Sequence, residues 1–179
     1  KEMVRYSDGQ IVDLILNKFA GERIIILSPL VKGRKGHYRE LFESMQRKGY
    51  TQMRVDGELN SISDLLDGVD RYKIHFIDLV IDKLVPKGED YKRVRDSVQT
   101  ALNYGKGSLS VWNITTDEIS HFSKHFICPD SGISFPEPAP HTFSFNSPQG
   151  ACPHCKGLGV VAQVDMSKII PDPSISIAD

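Results

Sequence analysis

Near residue 120 the chain changes character, and that change limits what it can fold into more than any other feature. Before it, apolar residues recur at helical or strand spacing. From there to residue 159 the chain is rich in Pro, Gly, Ser, Phe and Cys, with almost no helical periodicity. Such a segment cannot bury much surface in regular layers, so a metal knuckle or a larger host domain must order it. The expected division is residues 1–118 as a layered domain and residues 119–179 as an irregular, cysteine-bearing segment.

In the first part, Ile11, Leu14, Ile15 and Phe19 fall at helical spacing within residues 8–20, with Ser7 or Asp8 as the cap and Gly21 as the stop. Residues 23–30, rich in Ile and Leu and closed by Ser28-Pro29, predict a strand. A basic turn, Lys32-Gly33-Arg34-Lys35-Gly36, leads into a second amphipathic helix over 37–48. A short strand over 53–55 breaks at Asp56-Gly57, and residues 58–71 read as irregular and polar. The longest strand-like run, 73–85, stops at Pro86 and Gly88; a helix over 89–104 and a last strand over 109–112 follow. This order predicts an α+β fold, a small and mostly antiparallel sheet with helices packed on one face, followed by a segment like a degenerate zinc module.

The 22 basic and 23 acidic residues leave a net charge of −1, so any nucleic-acid affinity requires a local patch. Apolar runs such as Ile24 to Leu27 fall far short of the roughly 18 residues a membrane span needs. Neither a membrane segment nor a signal peptide is visible. The three cysteines all follow residue 127, an odd number that makes no disulfide framework and points to a reducing, cytoplasmic setting with metal or free thiols. The missing initial Met and the close on Asp179 predict a piece of a longer protein. No phosphate-binding loop of the G-x-x-x-x-G-K-[ST] type occurs, since 105-GKGS-108 lacks the first glycine, and no catalytic triad can be argued from spacing. The expectation is a chain without enzymatic activity. Asp56, Glu58, Asp64, Asp67 and Asp70 read as a solvated loop, and His37, His75 and His121 as surface or half-buried residues.

The strongest local signal is 152-CPHCKGLG-159. Two thiolates at C-x-x-C spacing can share one tetrahedral ion at about 2.3 Å each, and Gly157 and Gly159 supply backbone freedom just beyond. This is half a site. The other half stands upstream as Cys128-x-x-Ser131, and Ser is a poor zinc ligand. His125, His141, His154 and Asp130 are the candidate replacements, with His125 and His141 the freer of them. Two readings stay open: zinc on Cys128, Cys152, Cys155 and one of those residues, or an empty site in a module packed on Phe126, Phe135, Phe143 and Phe145. Ser131 favours the second. A redox role for Cys152 and Cys155 lacks the βαβ context it would need.

Lys32, Arg34, Lys35, Arg39, Arg54 and Lys83 fall on a turn, a helix face and strands, where alternation could put Arg54 and Lys83 on a shared outward face. A bare sheet face carrying such residues suits a partner interface; the alternative is an ordinary scatter of solvated charge.

The combination 27-LSPLVKGRKGHYRELFESMQRKGY-50, 54-RVDGE-58, 78-DLVIDKLV-85, 96-DSVQTALNYGKG-107 and 143-FSFNSPQGACPHCKGLG-159 resembles the UvrA family, the damage-sensing ATPase subunits of bacterial nucleotide excision repair. The resemblance covers nearly the whole chain. It implies an insertion within an ATP-binding cassette: an α+β domain that binds the partner subunit UvrB, then a zinc module leading back to the cassette. It further implies UvrB contacts from Arg54, Lys83, Arg34, Lys35 and Asp56, and metal positions at Cys128, Cys152 and Cys155. The chain departs from the family at Ser131 and at Gln52, where relatives carry a basic residue. ATP, DNA and the UvrA homodimer contact belong, by the same resemblance, to the full-length protein. An alternative of another class is a zinc-ribbon-like nucleic-acid-binding module in residues 120–159. Arg54 and Lys83 are both expected at the surface, so charge reversal at either should leave the fold intact.

Overall fold

A computed structural model describes residues 4–128, 134–135, 139–148 and 150–161. They fall into two compact units, Lys1–Pro136 and Glu137–Asp179. The first contains three helices, α1 (Asp8–Lys18), α2 (Arg39–Arg47) and α3 (Tyr91–Tyr104). Its strands are β1 (Ile24–Lys35), β2 (Gln52–Val55), β3 (Glu58–Ser61), β4 (Ile74–Leu84), β5 (Ser108–Asn113) and β6 (Glu118–Ser123). A small β7–β8 pair (Phe126–Ile127, Ser134–Phe135) follows. The six strands form one sheet in the order β3-β2-β4-β1-β5-β6, every pair antiparallel.

All three helices cover one face. Ser7 opens α1 as a capping box: its hydroxyl accepts from the Gln10 amide, and the Gln10 side chain accepts from the Ser7 amide at 2.9 Å. The helix then lays Ile11 and Ile15, with Val94 and Val98 of α3, onto Ile24 and Ile26 of β1. A second cluster forms where Phe42 and Met45 of α2 meet Met53, Ile77 and Leu79 of β2 and β4. Between the two, the Ser28 hydroxyl donates to the Ala101 carbonyl at 2.7 Å, tying β1 to α3.

Three register shifts between β1 and β4 decide which side chains face the helices. In the β1–β4 ladder Ile26 stands opposite Asp82 and Leu27 opposite Val80, so Ile81 is an extra residue. An extra residue inverts the alternation beyond it. Asp78 and Val80 therefore face away from the helices. Asp82 faces α3, where it accepts from Arg93 Nη2 at 2.8 Å and from Ser97 Oγ at 3.0 Å. Lys83, opposite Ile25, returns to the uncovered side. β1 carries two further extra residues, Leu30 between Pro29 opposite Asp78 and Val31 opposite Ile77, and Gly33, with φ +63°, between Lys32 opposite Phe76 and Arg34 opposite His75. A side chain at Gly33 would press on the Phe76 ring at 3.2 Å.

Several boundaries differ from the sequence expectation. Ser28-Pro29 does not close β1, which continues to Lys35. β5 pairs with β1 only from Ile24 to Leu27, so Pro29 has a free edge on that side and its missing N–H costs no bond there. Residues 58–71 are not wholly irregular, because β3 pairs with β2 and a 3-10 turn follows at Ile62–Leu65. Nor is the sheet complete at residue 118, since β6 begins there and pairs with β5 along its length.

The described residues of the second unit form turns and bends, with a 3-10 turn at Pro140–Thr142. Phe143 and Phe145 are 76% and 66% exposed, which corrects the expected packing on these rings: turns offer them no regular face to bury against. Among the described residues no helix is long and apolar enough to cross a membrane.

Candidate functional site

The face of the sheet opposite the helices has no covering element among the described residues. Its middle is apolar, with Ile25, Leu27 and Val80 packed under Trp112. Beside that patch strand pairing brings Arg54 opposite Asp78. Arg54 Nη1 donates to Asp78 Oδ2 at 3.5 Å, and its guanidinium lies over the Trp112 ring, 5.0 Å from the centroid. Only 18% of the Arg54 side chain is exposed, which corrects the expectation of a surface residue. Its Nε is buried and has no hydrogen-bond partner among the described residues. An unpaired charged donor at that depth is costly unless something from outside completes it.

The surroundings are polarised. Burial pushes the Asp78 carboxyl above its usual range, against the opposing pull of Arg54 and Lys32. Burial, with repulsion from Lys32 and Arg54, pushes the His121 imidazole below its usual value; its Nδ1 lies 2.9 Å from Ser110 Oγ. Lys32, Arg54, Phe76, Asp78 and His121 line a groove of about 840 Å³. Lys83 stands exposed on the same face, so Arg54 and Lys83 do share an outward side. Asp78, Trp112 and His121 were not singled out from the sequence. The available signals were a carboxylate inside an apolar strand and a lone Trp in a strand of period two.

Asp56 sits at the β2–β3 turn with φ +51°, its side chain exposed to solvent yet held by two contacts. Its Oδ1 accepts from the Phe76 amide at 2.8 Å, and its Oδ2 lies 2.6 Å from His75 Nδ1. The other ring nitrogen of His75 lies 2.8 Å from the Asp70 carbonyl oxygen. Both partners only accept, so both bonds together require the imidazolium. Burial, at 4% exposure, disfavours that charge, but the Asp70 and Asp56 acceptors outweigh it and hold the His75 pKa above its ordinary value. His75 thus corrects the reading of a scattered surface histidine. A raised folded-state pKa gives stability that is full below the unfolded value, about 6.5, and is lost as pH rises through the folded value. The urea-midpoint gap between this chain and His75→Gln is therefore expected to be wider near about pH 5.5 than near about pH 8. A gap that widens with pH would refute the pairing.

Arg34 and Lys35 are exposed at the end of β1, where the Tyr38 hydroxyl donates to their carbonyls at 3.0 and 3.2 Å.

Of the expected metal positions, Cys152 and Cys155 share one turn in the second unit, where the Lys156 amide donates to the Cys152 carbonyl at 2.6 Å. Gly157 and Gly159 take φ +88° and +74°. The Cys155 and His154 amides, followed by the Cys155 thiol, lower the pKa of the Cys152 thiol. The turn can offer two sulfurs to a tetrahedral ion. Cys128 and His125 belong to the first unit and His141 to the second, while Asp130 and Ser131 lie outside the described residues. Among the described residues no three His, Cys, Asp or Glu side chains converge on one ion position.

Residues 7–115 match the family described as the UvrA interaction domain. UvrABC system protein A of Methanothermobacter thermautotrophicus is 44% identical over 181 residues, which cover 99% of this chain and 19% of that protein. Proteins of the same name from Aquifex aeolicus and Thermus thermophilus are each 40% identical, over 93% and 98% of this chain and 18% of theirs. The chain spans less than a fifth of the length of these curated relatives.

Proposed function

The chain belongs to the UvrA interaction domain family, and from that premise we propose that it is the part of a nucleotide excision repair protein that docks UvrB for delivery to damaged DNA. The observation that carries this reading is Arg54, a guanidinium held between Asp78 and Trp112 on a sheet face that, among the described residues, nothing covers and where nothing pairs its buried Nε. A guanidinium already fixed by stacking loses little freedom on binding, and its planar fork suits a carboxylate. Lys83 and Lys32 add a positive field around it, which favours association rate and orientation more than affinity. Salt weakens such contacts. The role is non-catalytic. ATP turnover, DNA contact and pairing of two UvrA chains fall, in this reading, to the remainder of the protein.

Calorimetric titration of this chain with UvrB tests the proposal, and absence of binding would overturn it. Lys83 is exposed, so Lys83→Glu is expected to leave the circular dichroism spectrum unchanged. It should weaken UvrB binding about fivefold to tenfold, with a shallower dependence on salt.

A further inference from the structure

Beyond Leu27, β1 parts from β5, and a groove of about 600 Å³ opens between the free edge of β1 and the turn that joins α3 to β5. Lys32, Arg34 and Lys35 line it from the strand and Lys106 from the turn, with His125 also in its lining. No Asp or Glu lines it. Elsewhere on this unit, cations find carboxylates: Arg39 with Glu43, Lys73 with Asp70, Arg93 with Asp82 and Lys124 with Asp8. Arg34, Lys35 and Lys106 form no ion pair among the described residues. In a chain of net charge −1, an unneutralised groove of this kind is a local and not a global property.

One structural explanation is edge protection. Lysines, a proline and a bulge along an open strand edge discourage pairing with another strand, and Lys32, Pro29 and Gly33 fit that role. Lys106 does not fit it. It stands on a turn, not on a strand, and adopts φ +51°, a backbone conformation that most side chains avoid, while remaining exposed on the groove. Edge protection also makes an added β-strand the wrong occupant, because the bulge breaks the register such a strand would need.

We infer that this groove receives an acidic, non-strand segment of the protein partner docked on the open sheet face, as a continuation of that contact around the free edge of β1. The inference rests on the docking role proposed above. Continuity supports it, since Pro29, Val31, Lys32 and Ser108 line both this groove and the one beside Arg54. Charge complementarity supports it too: Arg34, Lys35 and Lys106 have no carboxylate partner among the described residues, and a run of Asp and Glu would supply several.

The test compares the 179-residue chain with its triple variant Arg34→Glu, Lys35→Glu, Lys106→Glu, all three exposed, titrating each with UvrB at several salt concentrations. The expected result is an affinity lowered about tenfold or more, with a flatter plot of log Kd against log salt and an unchanged thermal unfolding midpoint. If the parent chain binds UvrB and the triple variant binds with equal affinity and equal salt slope, the inference fails while the docking role stands. If the parent chain does not bind UvrB at all, the docking role itself fails. A labelled oligonucleotide is titrated in parallel. Binding that the triple variant abolishes, together with undiminished UvrB affinity, would assign the groove to nucleic acid and overturn the inference.

Discussion

Arg54→Met is expected to weaken UvrB binding about 100-fold, close to 3 kcal/mol, because it removes a guanidinium that the open sheet face holds ready. Methionine keeps an unbranched stem over Trp112, so packing on the apolar patch persists while the charge goes. Asp78 loses its partner. Burial already holds that carboxyl above its usual range, so it takes up a proton more readily and limits the damage to the fold. Glutamate at position 54 would be a poorer probe, because it would set a second carboxylate against Asp78 in a half-buried site and lose stability for reasons unrelated to docking. Isothermal titration of UvrB into the folded variant is the check. Affinity within about threefold of the parent, or under 1 kcal/mol, would remove Arg54 from the contact.

A large effect of a different kind is expected at Phe42. Its ring is fully buried between α2 and the β2–β4 half of the sheet, against Met53, Ile77 and Leu79. Phe42→Ala should cost about 3–5 kcal/mol, the lost transfer energy plus the cavity left behind. The first cluster, under α1 and α3, does not use this ring. Urea unfolding followed by circular dichroism measures the loss. A cost below about 1 kcal/mol would mean that α2 contributes little to holding the sheet. Affinity for UvrB, normalised to the folded fraction, should change far less than in Arg54→Met, since Phe42 lies on the covered side.

The helices and the apolar strands were legible because their periods are strong: Ser7 and Gln10 mark the start of α1, and Ile24 to Leu27 read as strand without ambiguity. β3 and β6 were not. Glu-Leu-Asn-Ser carries one apolar residue, and Glu118–Ser123 is a mostly polar edge strand at the composition break. β3 gains its place from pairing with a neighbour rather than from burying a side chain, and β6 buries only the Phe122 ring in the first cluster besides its pairing with β5. The Asp56-Gly57 turn, with φ +51° and +97°, was the remaining clue to a hairpin. For the site, sequence supplied Arg54 and Lys83 but not what surrounds them. Arg54 meets Asp78 through register and Trp112 through the order of strands, neither of which a single strand's pattern contains. His75 was misread for a similar reason, since its two acceptors, Asp56 and Asp70, come from separate loops.

The extra residue in β4 has a consequence for how such a surface can change over evolutionary time. Asp82 and Lys83 are neighbours of opposite charge, and Ile81 alone decides which of them joins Arg54 on the outside. With strict alternation from Asp78, Asp82 would be outside and Lys83 would be pressed against α3, away from the aspartate that Arg93 now holds. The sign of the exposed charge is thus set by where the ladder carries its bulge and not only by residue identity. A lineage could reverse the polarity of this surface by pairing Ile81 within the ladder and moving the bulge beyond Lys83, without substituting any charged residue.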